Sequence, residues 1–110
     1  MTGVAQLEVS PEDVAAERRS GASLVVLDVR EPWETEICAI EGSLPIPLAT
    51  LPQNVDRLPQ DERLVVVCHH GARSMQAVMW LRHQGFENAM NLRGGIDAWA
   101  RAVDPSMATY

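Results

Sequence analysis

The sequence contains no lysine; all nine of its basic residues are arginines. That absence excludes Schiff-base chemistry and lysine-dependent phosphate loops, both of which need a primary amine. Against the nine arginines stand fifteen Asp and Glu, giving a formal net charge of −6. An acidic chain without a basic stripe is a poor match for nucleic acid or an anionic membrane, so neither is expected as a partner. The same charge should repel small anions at long range. Cysteine is scarce as well, with only Cys38 and Cys68. Two cysteines without Cys-x-x-Cys spacing exclude a disulfide scaffold and the usual zinc motifs. No basic segment followed by an apolar one opens the chain, so no signal peptide is expected. The longest apolar runs, 24–27 and 64–68, fall far short of a membrane span. A reducing, cytoplasmic setting is the expectation, and there a lone cysteine is either inert packing or a reactive thiol.

What is present is a chain of 110 residues, 46% hydrophobic and 22% charged, which predicts one globular domain over 1–110. Ser10-Pro11-Glu12-Asp13 has the order of a helix start: a hydroxyl at the cap, proline at the first helical position, acids in the first turn. Arg18 and Arg19 suit its last turn and Gly21 its end. Leu24-Val25-Val26-Leu27-Asp28-Val29 and Leu64-Val65-Val66-Val67-Cys68 are continuous apolar runs rich in β-branched residues, the pattern of strands covered on both faces. Five punctuating residues (Pro32, Gly42, Pro45, Pro47 and Pro52) predict loop with short helical turns at most over 30–51. A short helix is expected over 55–58, and a longer one over 74–84 with Met75, Val78, Met79 and Leu81 on its apolar side and Gly85 after it. A strand over 90–92 and a helix over 96–102 carrying Trp99 follow, and 103–110 forms a tail. Strands alternating with helices imply an α/β domain with a mainly parallel sheet.

The chemistry concentrates in Cys68-His69-His70-Gly71-Ala72-Arg73-Ser74. Cys68 sits where a buried parallel strand ends and a helix is about to begin, the side of an open α/β sheet on which ligands bind. A short loop entering a helix can turn successive backbone N–H groups inward as an anion cradle, with Gly71 supplying a conformation a Cβ would resist. The helix start and Arg73 favour thiolate over thiol at Cys68, an activated nucleophile among donors. One of nine arginines and two of three histidines lie in this loop, which predicts positive potential concentrated there. Ser74 is placed either as the helix cap through its hydroxyl, the favoured role, or as a donor toward sulfur held at Cys68. Asp28 and Arg30, at i and i+2 on a strand end, face the same way and are expected to form an ion pair that supports the loop. Trp33 is a candidate for the mouth of the site, Trp80 and Trp99 for the core. Arg93-Gly94-Gly95 is first a turn into the last helix and only secondarily an anion contact. His83 is placed as a surface charge, and Cys38 as structural. Adjacent Cys68, His69 and His70 cannot easily converge on one ion, so no metal is expected.

These residues carry a resemblance. Cys68 to Ser74 resembles the Cys-x-x-Gly-x-Arg-Ser active loop of rhodanese-like sulfurtransferases. Asp28-Val29-Arg30-Glu31-Pro32-Trp33-Glu34 is similar to that family's Asp-Val-Arg segment, which ends in an aromatic and Glu. Ile40-Glu41-Gly42-Ser43 through Ile46-Pro47, and Gly85-Phe86 through Leu92-Arg93-Gly94-Gly95-Ile96 with Ala98-Trp99, resemble two further segments in order. The match runs over about 6–102. It departs at Cys38-Ala39, where Gly-His is common, and at Glu41, where Pro is common. The resemblance implies a three-layer fold, a five-stranded, mostly parallel sheet with helices on both faces. It also implies a persulfide on Cys68, with His69, His70, Gly71, Ala72, Arg73 and Ser74 around the substrate and no cofactor. Donors would be thiosulfate or another sulfane-sulfur compound, acceptors a thiol, cyanide or a protein. The spacing Cys-x-x-x-x-Arg is the short form of the loop. Phosphatases and arsenate reductases that resemble this fold use one residue more, widening the cradle for a tetrahedral oxyanion. A sulfur-carrier module serving a protein partner is the other alternative.

Overall fold

A computed structural model describes residues 7–110; the N-terminal residues 1–6, part of the stretch read for a leader, lie outside the described residues. Five strands form one sheet: β1 (Glu8–Val9), β2 (Leu24–Asp28), β3 (Leu44–Pro45), β4 (Arg63–Val67) and β5 (Ala89–Leu92), in the order β1-β5-β4-β2-β3. All four pairings are parallel. The helices are α1 (Pro11–Arg19), α2 (Pro32–Ile37), α3 (Ala72–His83) and α4 (Gly95–Ala102), with a run of 3₁₀ turns over Leu48–Arg57.

The two apolar runs become the central strands because both their faces are covered. Val26, Val65 and Val67 pack with Val14 of α1 and Ile96 and Trp99 of α4. Leu27, Leu64, Val66 and Cys68 pack on the other side with Ala77, Val78 and Leu81 of α3 and with Leu51. Alternation along each strand therefore makes three layers from one sheet. Ser10 caps α1, its hydroxyl accepting the Asp13 N–H at 3.1 Å, as its sequence predicts.

The segment 30–51 is more ordered than its prolines predict. Pro32 does not break structure but opens α2 at the first helical position, where the missing N–H costs nothing. The Glu31 N–H donates to the Glu34 carboxylate at 3.0 Å, closing that helix start. Pro45 lies on the edge strand β3, where no ladder donor is needed from it; the neighbouring Ile46 N–H donates to the Asp28 carbonyl at 2.9 Å. The short helix expected over 55–58 is instead the end of the longer 3₁₀ run. On α3 the buried stripe is Ser74, Ala77, Val78 and Leu81, while Met79 is exposed. Trp99 is core, and Trp80 is only partly buried, packed against the cluster on the other face of the sheet. No helix among the described residues is long and apolar enough to cross a membrane.

Candidate active site

Cys68 follows β4 directly and is 1% exposed. The chain then turns through His69 and His70 to Gly71, whose φ of +110° is left-handed, and α3 starts at Ala72. The helix thus begins two residues earlier than expected. Gly71 is its cap, and Ser74 is not; this corrects the predicted capping role. Inside the first turn, Ser74 points inward, with Oγ 3.2 Å from Cys68 Sγ and 2.5 Å from Asn91 Oδ1. The Gly71 N–H donates to Cys68 Sγ at 3.1 Å. The first bond of α3 runs from the Met75 N–H to the Gly71 carbonyl at 3.0 Å, leaving the N–H groups of Ala72, Arg73 and Ser74 without intrahelical partners. A sulfur atom at the end of a strand thus faces a helix N-terminus, a hydroxyl and a backbone donor.

The back of the loop is held by α4. The Ile96 N–H donates to the Cys68 carbonyl at 2.8 Å and the Asp97 N–H to the His69 carbonyl at 3.1 Å. This close approach explains Gly95. A Cβ on Gly95 would overlap the carbonyls of Cys68 and His69, and its φ of +66° is itself left-handed. Arg93 is exposed.

Beside the loop runs an ionic chain. Arg73 meets Glu34 through two parallel bonds, Nη1 to Oε1 at 2.6 Å and Nη2 to Oε2 at 2.8 Å. The Tyr110 hydroxyl donates to Glu34 Oε2 at 2.7 Å and accepts from Arg30 Nη1 at 3.0 Å. Arg30 and Asp28, both fully buried, pair at 2.7 Å, and Arg30 also donates to the Cys38 carbonyl at 2.7 Å. The Arg73 guanidinium, helped by the Glu31 N–H and the Tyr110 hydroxyl, holds the Glu34 carboxyl down to about 2 against the opposing effect of burial. Burial disfavours the charge on Arg30, yet its bonds to Asp28 and Tyr110 keep it above its ordinary value. Burial pushes the Tyr110 hydroxyl up to about 12, with Glu34 adding to the effect and Arg30 opposing it.

The His69 ring stacks on Tyr110 at 3.9 Å and 11°, so the segment after α4 folds back onto the loop and is not a free tail. Trp33 is 60% exposed and meets Tyr110 edge-on at 5.9 Å. His70 is exposed, with Nδ1 3.9 Å from Asp97. The expected concentration of positive charge is therefore corrected: Arg73 is matched by Glu34, and His70 lies beside Asp97. Cys38 packs on the opposite face of the sheet from Cys68. Among the described residues no group of three or more His, Cys, Asp and Glu could hold a metal.

The loop's sequence brings Cys68 to Ser74 together as one unit. Three residues that complete the surroundings carry no candidate role in the sequence. Glu34 had a signal, since it closes the Asp-Val-Arg segment; Asn91 and Tyr110 had none.

Comparison with known proteins agrees with this geometry. A family model described as Rhodanese-like domain matches residues 10–102. A sulfurtransferase from Allochromatium vinosum is 35% identical over 101 residues, covering 92% of this chain and 94% of that protein. The probable adenylyltransferase/sulfurtransferase MoeZ of Mycobacterium tuberculosis is 36% identical over 104 residues; the match covers 93% of this chain but only 26% of MoeZ. Among solved structures, a rhodanese-related protein from Thermoplasma volcanium superposes with a TM-score of 0.79 at 32% identity, covering 87% of this chain and 92% of that one. A rhodanese-like domain protein from Staphylococcus aureus gives 0.81 at 26% identity, covering 94% and 97%. With a family model over most of its length and a relative matched nearly end to end, this chain belongs to the rhodanese-like domain family.

Proposed function

We propose that the protein is a sulfurtransferase that carries sulfane sulfur on Cys68, with thiosulfate or a persulfide as donor. The observation that carries this reading is the setting of Cys68 Sγ, buried at the C-terminal end of β4 with the Gly71 N–H and the Ser74 hydroxyl on it and the N-terminus of α3 in front. The Cys68 thiolate attacks the outer sulfur of thiosulfate. A bond forms between the two sulfurs, the bond to the inner sulfur breaks, and its electron pair leaves with sulfite. An acceptor, cyanide or a thiolate, then attacks the outer sulfur of the persulfide and the Cys68 thiolate departs. No external oxidant or reductant is needed. Gly71, Ala72 and Ser74 present donors to the bound sulfur. His70, the outermost side chain of the loop, meets the incoming donor. Arg73 and Glu34 fix the loop from one side, Arg30, held by Asp28, bonds Glu34 and Tyr110 behind them, and His69 packs on Tyr110.

The loop from Cys68 to Arg73 has six residues, which supports a sulfur atom over a tetrahedral oxyanion. A second reading is a carrier for a protein partner, favoured by the match to about a quarter of MoeZ. Incubation with thiosulfate followed by intact mass and thiocyanate assay, alongside Cys68→Ser, tests these readings. Expected are one added sulfur and thiocyanate production, both lost in Cys68→Ser. Sulfur that still loads in the variant overturns the assignment. Loading with negligible thiocyanate favours the carrier, and turnover of an aryl phosphate alone favours a phosphatase.

A further inference from the structure

Two contacts on Cys68 trace back to one side chain without a role so far, Asn91. It lies on β5, is 1% exposed, and stands opposite Glu8 of β1 in the parallel register. A buried amide must place its acceptor as well as its donors. Nδ2 donates to Glu8 Oε2 at 3.0 Å and to the Gly71 carbonyl at 3.3 Å. A carboxylate and a carbonyl only accept, so turning the amide over would set oxygen against two acceptors. Oδ1 therefore faces Ser74, whose Oγ is 2.5 Å away. An amide oxygen has no proton to give, so the single hydroxyl proton of Ser74 goes to Asn91. Toward Cys68, 3.2 Å off, Ser74 then turns a lone pair. The direction of bonding is Cys68 S–H to Ser74, and Ser74 O–H to Asn91.

We propose that Asn91 is a positioning residue for the nucleophile: it holds the Ser74 hydroxyl turned away from Cys68 while the sulfur is a thiol, and yields it to the sulfur once the thiol proton has left. The same amide braces the other contact, because the Gly71 whose N–H reaches Sγ at 3.1 Å has its carbonyl held by Nδ2. Yielding the hydroxyl leaves Oδ1 buried without a donor, a cost that works against the anionic sulfur and restrains it at rest. That the sulfur so held is the one that carries sulfane sulfur rests on the sulfur-transfer reading; the direction of the hydrogen bonds does not.

The test follows the rate of Cys68 alkylation by iodoacetamide against pH, in a Cys38→Ser background, for the parent, Asn91→Val, Ser74→Ala and the double variant. Asn91→Val removes the competing acceptor, so the profile moves to lower pH and the rate at neutral pH rises about threefold to tenfold. In the Ser74→Ala background the same substitution no longer moves the profile to lower pH, because the hydroxyl it acts through is gone and only the lost brace on Gly71 remains. No shift, a shift to higher pH, or an equal shift in both backgrounds overturns the proposal. Where Asn91→Val folds poorly, the infrared S–H stretch of Cys68 decides with Asn91 intact. It moves to higher frequency in Ser74→Ala if the thiol donates to Ser74, and an unmoved band overturns the proposal. A protein that takes no sulfur from thiosulfate or a persulfide yet shows these shifts loses the sulfurtransferase reading and keeps this one; the opposite pattern does the reverse.

Discussion

Glu34 is the residue on which most of the loop's surroundings converge, since it binds Arg73 with both oxygens and Tyr110 with one. A carboxyl whose folded value lies below its unfolded one stabilises the fold fully above the unfolded value, and that contribution is lost as pH falls toward the folded one. For Glu34 the window runs from its ordinary 4.5 down to about 2. Glu34→Gln lacks the carboxylate at every pH. It is therefore expected to be about 1–2 kcal/mol less stable at pH 7, a value discounted because solvent reaches Arg73, and to lose less of its stability than the parent between pH 7 and pH 3. Urea denaturation at both pH values measures this, and a variant that falls as steeply as the parent would move the acid dependence elsewhere. Cys68 was legible in the sequence because the loop beside it is local: strand end, glycine, arginine and helix start lie within seven residues. The partners of Glu34 were not, because Arg73 and Tyr110 lie 39 and 76 positions along the chain, and no local pattern encodes that meeting. Asn91 was hidden for the same reason, reading as one polar residue in a short strand.

At the scale of elements, legibility followed length and periodicity. The runs that became β2 and β4 are five apolar-rich residues each, long enough to show that both faces are buried. β3 has two residues and exists only through its pairing with β2, and α2 has six with proline at its start, so neither shows a period. Ser74 misled because a hydroxyl near a helix start is the ordinary capping signal, whereas a left-handed glycine had already started the helix. Glycine at Gly95 is a requirement of another kind: it lets α4 seat its first N–H groups on the Cys68 loop. Gly21 is a control with the same hand of backbone, φ +80° against +66°, but with nothing within 4 Å of a Cβ. Gly21→Ala is expected to cost about 1 kcal/mol, the strain of the backbone alone. Gly95→Ala adds overlap with two carbonyls that belong to backbone and cannot swing aside. It is expected to cost about 3 kcal/mol or more and to slow Cys68 alkylation as the loop shifts. Denaturant midpoints of the two variants measure the difference; equal losses would mean that the close approach of α4 does not hold the loop.

At the scale of the whole molecule, the parallel sheet gathers the functional loop at the C-terminal ends of its strands, where an open α/β sheet binds ligands. The charge balance then decides how an anionic donor is received. The net charge is −6. The loop offers little to counter it, because the Arg73 charge is spent on Glu34, and Asp97 stands beside His70 while also pairing with Arg101 at 2.8 Å. A dianion such as thiosulfate should therefore approach against the field of the molecule and be helped by salt. The screening length falls from about 30 Å at 0.01 M to about 3 Å at 1 M, so the long-range part of that field disappears over this range. On the proposed reading, in which thiosulfate is a donor, its kcat/KM is expected to rise about twofold to fivefold across this range. Two alkylating agents isolate the effect from catalysis, since iodoacetate carries a negative charge and iodoacetamide carries none. In the Cys38→Ser protein, the rate ratio of iodoacetate to iodoacetamide at Cys68 should climb with salt by a similar factor. A ratio that falls instead would show that the loop keeps a positive potential of its own despite its paired cations, and would return Arg73 to direct anion binding.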